Sequence, residues 1–295
     1  MGRVSIALAV AIAVAAVTAC SGSATSVRSQ AESVPATYYL ALGDSLSQGV
    51  QPDAAGTSVP TGQGYPDQLY AVLHRSQPAL QLVKLGCPSE TTATMIHGGI
   101  CRYRGGSQLA AAVAFLSAHR GHVVLVTIDI GANDPEDCGS GAGLRALTAC
   151  IGTNLPKAIG NLGTILTRLR AAAGPDVRIV GMSYYLPALA EWRQGTLGQG
   201  VAWVSERLAA GYSDLLNHAY TTSGVRVANV FEAFETSDFG NRVAVPGVGT
   251  VPRNVARICQ WTWACASPPR GPNQHANQVG YGVIAQAFLS ASGLS

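Results

Sequence analysis

The segment Val123 to Ile130 is nearly continuous in Val, Leu and Ile, and it constrains the fold more than any other part of the chain. A strand apolar at both odd and even positions leaves no face for water, so it belongs inside a sheet covered by helices on both sides. Shorter runs of the same kind stand at Tyr38–Leu42, Leu80–Leu85, Val177–Met182 and Val225–Val230. Between them lie helical patterns at Tyr65–His74, Asn154–Ala173, Val201–Tyr220 and Gln278–Leu289. The second of these carries Leu155, Ile159, Leu162, Ile165, Leu166 and Leu169 on one face and closes at Gly174-Pro175. Strands alternating with helices predict parallel β-α-β units and a three-layer α/β/α domain with a central parallel sheet. Functional groups of such a sheet gather at the carboxyl ends of its strands. The region 235–272 has no clear periodicity, and there is no internal repeat or second core.

With 295 residues, 47% hydrophobic and 12% charged, the chain can bury a sizeable core and is neither a disordered tail nor a coiled coil. Net charge is +3, from 17 arginines and 2 lysines that are scattered along the chain. Without a basic stripe, nucleic acid is excluded as a partner class.

Part of the apolarity is local. Arg3 precedes a predominantly apolar run of 14 residues, Val4 to Val17, which is shorter than the roughly 20 a membrane-spanning helix needs. It ends in Val17-Thr18-Ala19-Cys20, which resembles the bacterial lipobox. Residues 1–19 are therefore expected to be a signal peptide and Cys20 a lipidation site; ordinary signal-peptidase cleavage is the alternative. Residues 20–36 are small and polar, as in a flexible tether, and one domain follows over 37–295. The expected location is outside the cell, either anchored by lipid to the outer face of the membrane or released.

Cys20 also resolves a parity problem. The chain has seven cysteines, and setting Cys20 aside leaves six. None sits in a C-x-x-C pair or at ligand spacing from a histidine, so no metal site is expected. In an exported chain they read as disulfides. Fifteen connectivities exist, and order along the chain suggests neighbour pairing: Cys87–Cys101, Cys138–Cys150 and Cys259–Cys265.

Four short blocks carry the chemistry. Gly43-Asp44-Ser45-Leu46 ends the first strand, where a helix is expected to begin and a serine could present its hydroxyl on an exposed turn. Taken alone, Ser45 is equally an N-cap. Gly86 follows the second strand, Gly131-Ala132-Asn133-Asp134 follows the strongest one, and Gly271-Pro272-Asn273-Gln274-His275 precedes the last helix.

Together and in this order, the blocks resemble the SGNH (GDSL) esterase/lipase family over nearly the whole mature chain. The resemblance implies a cofactor-free hydrolase with Ser45 as nucleophile and His275 as general base. It implies an oxyanion hole formed by the backbone N–H groups of Ser45 and Gly86 and the side-chain amide of Asn133. The chain departs from the family at Pro272, where Asp is usual, and no carboxylate occurs after Asp238. Some exported actinobacterial members, with three neighbour-paired disulfides, orient the histidine with a main-chain carbonyl. The resemblance therefore implies a Ser45–His275 dyad with the Pro272 carbonyl as acceptor and a histidine pKa below that of a full triad. Lys84 and Ala276 also differ from common family residues, without removing a catalytic group.

The remaining candidates have plainer readings. His74, His97, His119, His122 and His218 belong to no motif. Asp44 is too close to Ser45 to orient His275 easily and is expected to be a loop acceptor, while Asp129 and Asp134 are expected to hold the Gly131–Asn133 loop. Trp261 and Trp263 either wall an acyl pocket or pack their loop against the domain, and the segment 187–200 borders the cleft. The expected substrate is a lipid or a small acyl ester. A deacetylase of acetylated polysaccharide, a non-catalytic binding lipoprotein and a metal-dependent hydrolase are the alternatives.

Overall fold

A computed structural model describes residues 35–134 and 144–294, and the side chains among them outside 144–151. Residues 1–34, which include the leader, Cys20 and most of the tether, lie outside the described residues. So do Cys138 and the side chain of Cys150, and with them the expected Cys138–Cys150 bridge.

The central sheet is built from β1 (Thr37–Gly43), β4 (Leu80–Lys84), β5 (Val123–Asp129), β6 (Arg178–Met182) and β7 (Arg226–Ala228). Its order is β4-β1-β5-β6-β7, and every pairing is parallel. The chain passes from β1 to β4 on one side and then to β5 on the other, so the topological switch lies at the carboxyl end of β1. A crevice opens at such a point because successive crossovers leave in opposite directions.

β1 shows why the sheet needs cover on both sides. Tyr39 and Ala41 enter one core with Leu69 and Leu73 of α1 (Tyr65–Ser76) and Tyr281, Ile284 and Phe288 of α8 (Gln278–Ser292). Leu40 and Leu42 enter the other with Leu109 and Leu116 of α3 (Gln108–Ala118) and Leu162, Ile165 and Leu169 of α4 (Leu144–Ala173). Each fully buried leucine contributes on the order of 2 kcal/mol of transfer free energy. The domain is thus a single three-layer α/β/α unit.

The short elements differ from the sequence reading in instructive ways. α3 is nearly all alanine and apolar residues, so no polar stripe betrays it; the Ser107 side chain caps it by accepting from the Ala110 amide. α2 (Thr92–His97) is too short for a periodic signal. The region without periodicity contains a hairpin, β8 (Arg242–Val245) with β9 (Gly249–Pro252), and then the nine-residue α7 (Arg253–Trp261). A second hairpin pairs β2 (Gln51–Pro52) with β3 (Ser58–Val59). The expected Val201–Tyr220 helix, α5, runs from Gly195 to Thr222, and a 3-10 helix over Pro187–Gln194 leads into it. Glycines at 195, 198 and 200 hid its first turns, since glycine is a poor helix former. A four-residue α6 (Val230–Ala233) follows β7.

Candidate active site

Ser45 stands just beyond β1, but no helix begins there. Ser47 Oγ donates to the Asp44 carbonyl (2.7 Å), the Gln48 and Val50 amides both donate to the Ser45 carbonyl, and Gly49 at φ 65° turns the chain out. Three buried groups brace this turn. The carboxamide of fully buried Gln108 pairs with both the N–H and the C=O of Gly43 (2.7 and 2.9 Å). The Asp129 carboxylate accepts from the Asp44 and Ser47 amides and from the Tyr65 hydroxyl (2.5 Å). Asp44 accepts from the Leu46 amide (2.9 Å) and from the Tyr184 hydroxyl (3.3 Å). Gly43 sits at φ 129° against the Asp129 carbonyl, a position open only to glycine. Burial, with the Asp44 carboxylate beside it, raises the Asp129 pKa well above the usual carboxylate range. Asp129 therefore serves the serine turn rather than the Gly131–Asn133 loop. Asp134 likewise serves the start of α2, accepting from the Thr92 amide and hydroxyl.

His275 comes to this turn from the opposite end of the chain. Its Nε2 lies 3.0 Å from Ser45 Oγ, and its Nδ1 lies 2.8 Å from Asn273 Oδ1. That oxygen also accepts from the His275 amide (3.0 Å), while the Asn273 Nδ2 donates to Ser58 Oγ (2.9 Å), so the carboxamide orientation is fixed by both of its ends. The Nδ1–H tautomer follows, leaving Nε2 free to accept the serine proton. The group that orients His275 is thus the side chain of Asn273 and not the expected carbonyl of Pro272. An Nδ1–H has one hydrogen to donate, and Asn273 takes it. A neutral amide two residues before the histidine is the sequence signal for this role. Among the described residues no carboxylate bonds to the ring, and burial lowers the His275 pKa from 6.5 to about 4.

The histidine loop is laid against the segment that carries the two tryptophans. Trp263 N–H donates to the His275 carbonyl, Asn273 N–H to the Trp263 carbonyl and Asn277 N–H to the Trp261 carbonyl, with a bridge between Thr262 and Ala276. Cys259–Cys265 closes this segment with a Cα separation of 4.8 Å. Trp261 packs edge-on to Phe234 beneath Arg257, and Trp263 donates from Nε1 to Gln51. Both tryptophans therefore brace the loop. The second bridge, Cys87–Cys101, spans 6.0 Å between Cα atoms and ties the loop after Gly86.

Gly86 packs behind the serine turn. A Cβ there would lie 1.7 Å from Ser47 Oγ and 3.1 Å from the Asp44 carbonyl, so only glycine permits the approach. Asn133 Nδ2 donates to the Glu90 carbonyl (2.8 Å), which fixes the side chain. Lys84, at the end of β4, pairs with Asp67 (3.0 Å) and stays outside the site.

Ser45, Asn133 and His275 open into one cavity of about 570 Å³. Its far wall is apolar, with Leu155 from α4, Leu186, Pro187 and Ala188 from the 3-10 segment and its approach, and Leu208, Ala209 and Leu216 from α5. Of the segment 187–200, Pro187 and Ala188 reach the cavity, while Trp192 packs on Phe239.

The fold has counterparts among known proteins. An extracellular lipase from Streptomyces rimosus superposes with a TM-score of 0.55 at 18% identity, over 87% of this chain and all of that one. An acetylxylan esterase from Geobacillus stearothermophilus (0.54, 14%, over 88% and 96%) and a phospholipase A1 from Streptomyces albidoflavus (0.53, 17%, over 87% and 99%) share the architecture. At these identities the likeness is one of fold. No curated protein is similar enough in sequence to count as a relative. The sequence profile of the GDSL-like Lipase/Acylhydrolase family, however, matches residues 41–245, a span that runs from within β1 to the end of β8 and includes Ser45, Gly86 and Asn133. The chain belongs to the GDSL-like lipase/acylhydrolase family.

Proposed function

We propose that this protein is an exported serine esterase or lipase that cleaves carboxylic esters of acyl chains through a covalent acyl-enzyme. The observation that carries this reading is the Ser45 Oγ–His275 Nε2 approach of 3.0 Å with Nδ1 already occupied by Asn273. Ser45 Oγ attacks the ester carbonyl carbon as His275 Nε2 takes its proton. The negative oxygen of the tetrahedral intermediate is held by the Ser45 and Gly86 amides and the side-chain amide of Asn133, at a few kcal/mol per donor. Collapse expels the alcohol, which leaves with the proton from His275. Water, deprotonated by the same imidazole, then releases the carboxylic acid.

The apolar far wall favours an acyl chain of some length over an acetyl group on a polysaccharide, whose sugar would need polar partners across the same wall. The apolar leader ending at Cys20 and the disulfides support export, with lipid attachment at Cys20 and residues 20–36 as a tether. A panel of esters from acetyl to long-chain acyl, run beside acetylated xylan, tests the substrate. Activity is expected to rise beyond acetyl, and activity on acetyl-sugar alone would reverse the assignment. A fluorophosphonate should label Ser45 and no other serine, and failure to label it would restore the reading of a binding protein that kept the fold.

A further inference from the structure

The outer face of α5 is apolar where a surface helix should be polar. Leu197, Val201, Val204, Leu208 and Leu215 are all exposed, Leu197 at 87% and Val204 at 60% of their full accessibility. Spacings of four, three, four and seven residues place them in one stripe along the helix. Adjacent positions face the catalytic cavity: Ser205, Ala209 and Leu216 line it, each one residue, or about 100° of rotation, beyond a stripe position. Leu208 belongs to both surfaces. At Leu208 the apolar wall of the cavity therefore continues around α5 onto the outside of the protein.

The other flank of the stripe has a different chemistry. Trp203 stacks on Phe239 with ring centroids 4.7 Å apart and carries the Arg207 guanidinium 5.3 Å above its ring. Arg207 also makes a long contact with buried Glu206 (3.6 Å) and keeps 71% of its side chain in solvent. An amphipathic ring and a cation beside an apolar stripe match the level of lipid headgroups beside acyl tails.

We propose that the α5 stripe is a docking surface for a lipid layer, seating the mouth of the catalytic cavity on the surface that holds its ester substrate. The inference rests on the acyl-ester reading above. A second copy of the chain seated on the stripe would cover Leu208 and close the cavity rim, whereas a lipid layer presents acyl esters to it. The chain's net charge of +3 adds no repulsion from an anionic layer.

The test uses the mature chain from Ser21 onward, without the leader and Cys20, so that neither an attached lipid nor the apolar leader contributes. This parent is compared with the same chain bearing Leu197→Gln, Val201→Gln and Val204→Gln, none of which lines the cavity. Vesicles of phosphatidylcholine with phosphatidylglycerol are the probe, and a soluble butyrate ester reports the chemistry. The parent is expected to bind vesicles; the triple variant should bind at least about tenfold more weakly and hydrolyse the soluble ester within about twofold of the parent. Leu197→Gln alone, at the most exposed position, should give a smaller loss in the same direction if the triple variant folds poorly. Equal vesicle binding by parent and variants would overturn the proposal. So would a parent that ignores vesicles, or one that is a dimer separated by the substitutions. Vesicle binding by a parent that cannot hydrolyse the soluble ester would overturn the hydrolase reading and leave the docking surface standing.

Discussion

The two halves of the proposed catalytic pair are held in opposite ways. Ser45 sits at the end of a central strand, with its turn braced by Gln108, Asp129 and Tyr65 inside the core. His275 sits on a loop that borrows order from another loop, through the Trp261–Trp263 ladder, and its ring is set by one neutral side chain. The serine half is over-determined, so disturbing it should cost stability and rate together. The histidine half hangs on few contacts, so disturbing it should cost rate with the fold intact.

Gly86→Ala is the strongest way to break the first half. The added carbon meets Ser47 and the Asp44 carbonyl, and overpacking of this kind costs about 1–3 kcal/mol, with an activity loss on the order of a hundredfold from a displaced turn. Chemical denaturation and kcat/KM should fall together, and Ser47→Ala in the same chain should restore part of both. Unchanged stability with lost activity would show that the turn is less braced than its contacts imply.

Asn273→Ala tests the second half. Here kcat should fall on the order of tenfold to a hundredfold, with KM and the melting temperature nearly unchanged, because the ring loses its tautomer and aim but the loop keeps its ladder. Asn273→Asp sharpens the same point through pH. In the proposed mechanism the neutral imidazole is the base, and with its pKa lowered to about 4 the activity should persist at mildly acid pH and be lost as pH falls through that value. A carboxylate at 273 raises the pKa, so the acid limb of the kcat/KM profile should move to higher pH. The same shift affects stability: between the ordinary 6.5 and about 4, the unfolded chain binds the His275 proton and the folded chain does not. Any contribution of this group to stability is therefore full above that window and declines as pH falls through it.

Smaller effects follow from the supports. Replacing Cys259 and Cys265 by serine removes a short loop constraint worth about 2 kcal/mol, read as a lower melting temperature, with a modest loss of kcat as the ladder loosens. Pro272→Ala should change kcat within about twofold, since Asn273 and not position 272 orients the ring. A collapse of kcat in a folded Pro272→Ala protein would return that role to the main chain.

Legibility in the sequence divides along the same line. The strands and the helices α1, α4 and α8 could be read because buried strands are continuously apolar and covering helices repeat every three to four residues. Ser45, Asn133 and His275, named from their blocks, are brought into one cavity. Gln108 and Asp129 gave no such signal: an amide at the start of an alanine-rich helix and a carboxylate at a strand end look alike wherever they are, and only the packing of α3 and β5 against β1 turns them into braces. Asn273 stands in the histidine block, but which of two neighbouring groups reaches a ring nitrogen depends on a loop path. The apolar spacing of the α5 stripe is likewise present in the sequence, but a helical stripe has no side until its neighbours are placed.

Periodicity and short motifs, then, determined the layers, the strand ends and the reacting pair, since both are local properties of the chain written at fixed spacings. The tertiary structure alone decided who orients His275, what braces Ser45 and which apolar face of α5 meets water. Each of those is a contact between residues far apart in sequence, and its free energy exists only once the fold has brought them together.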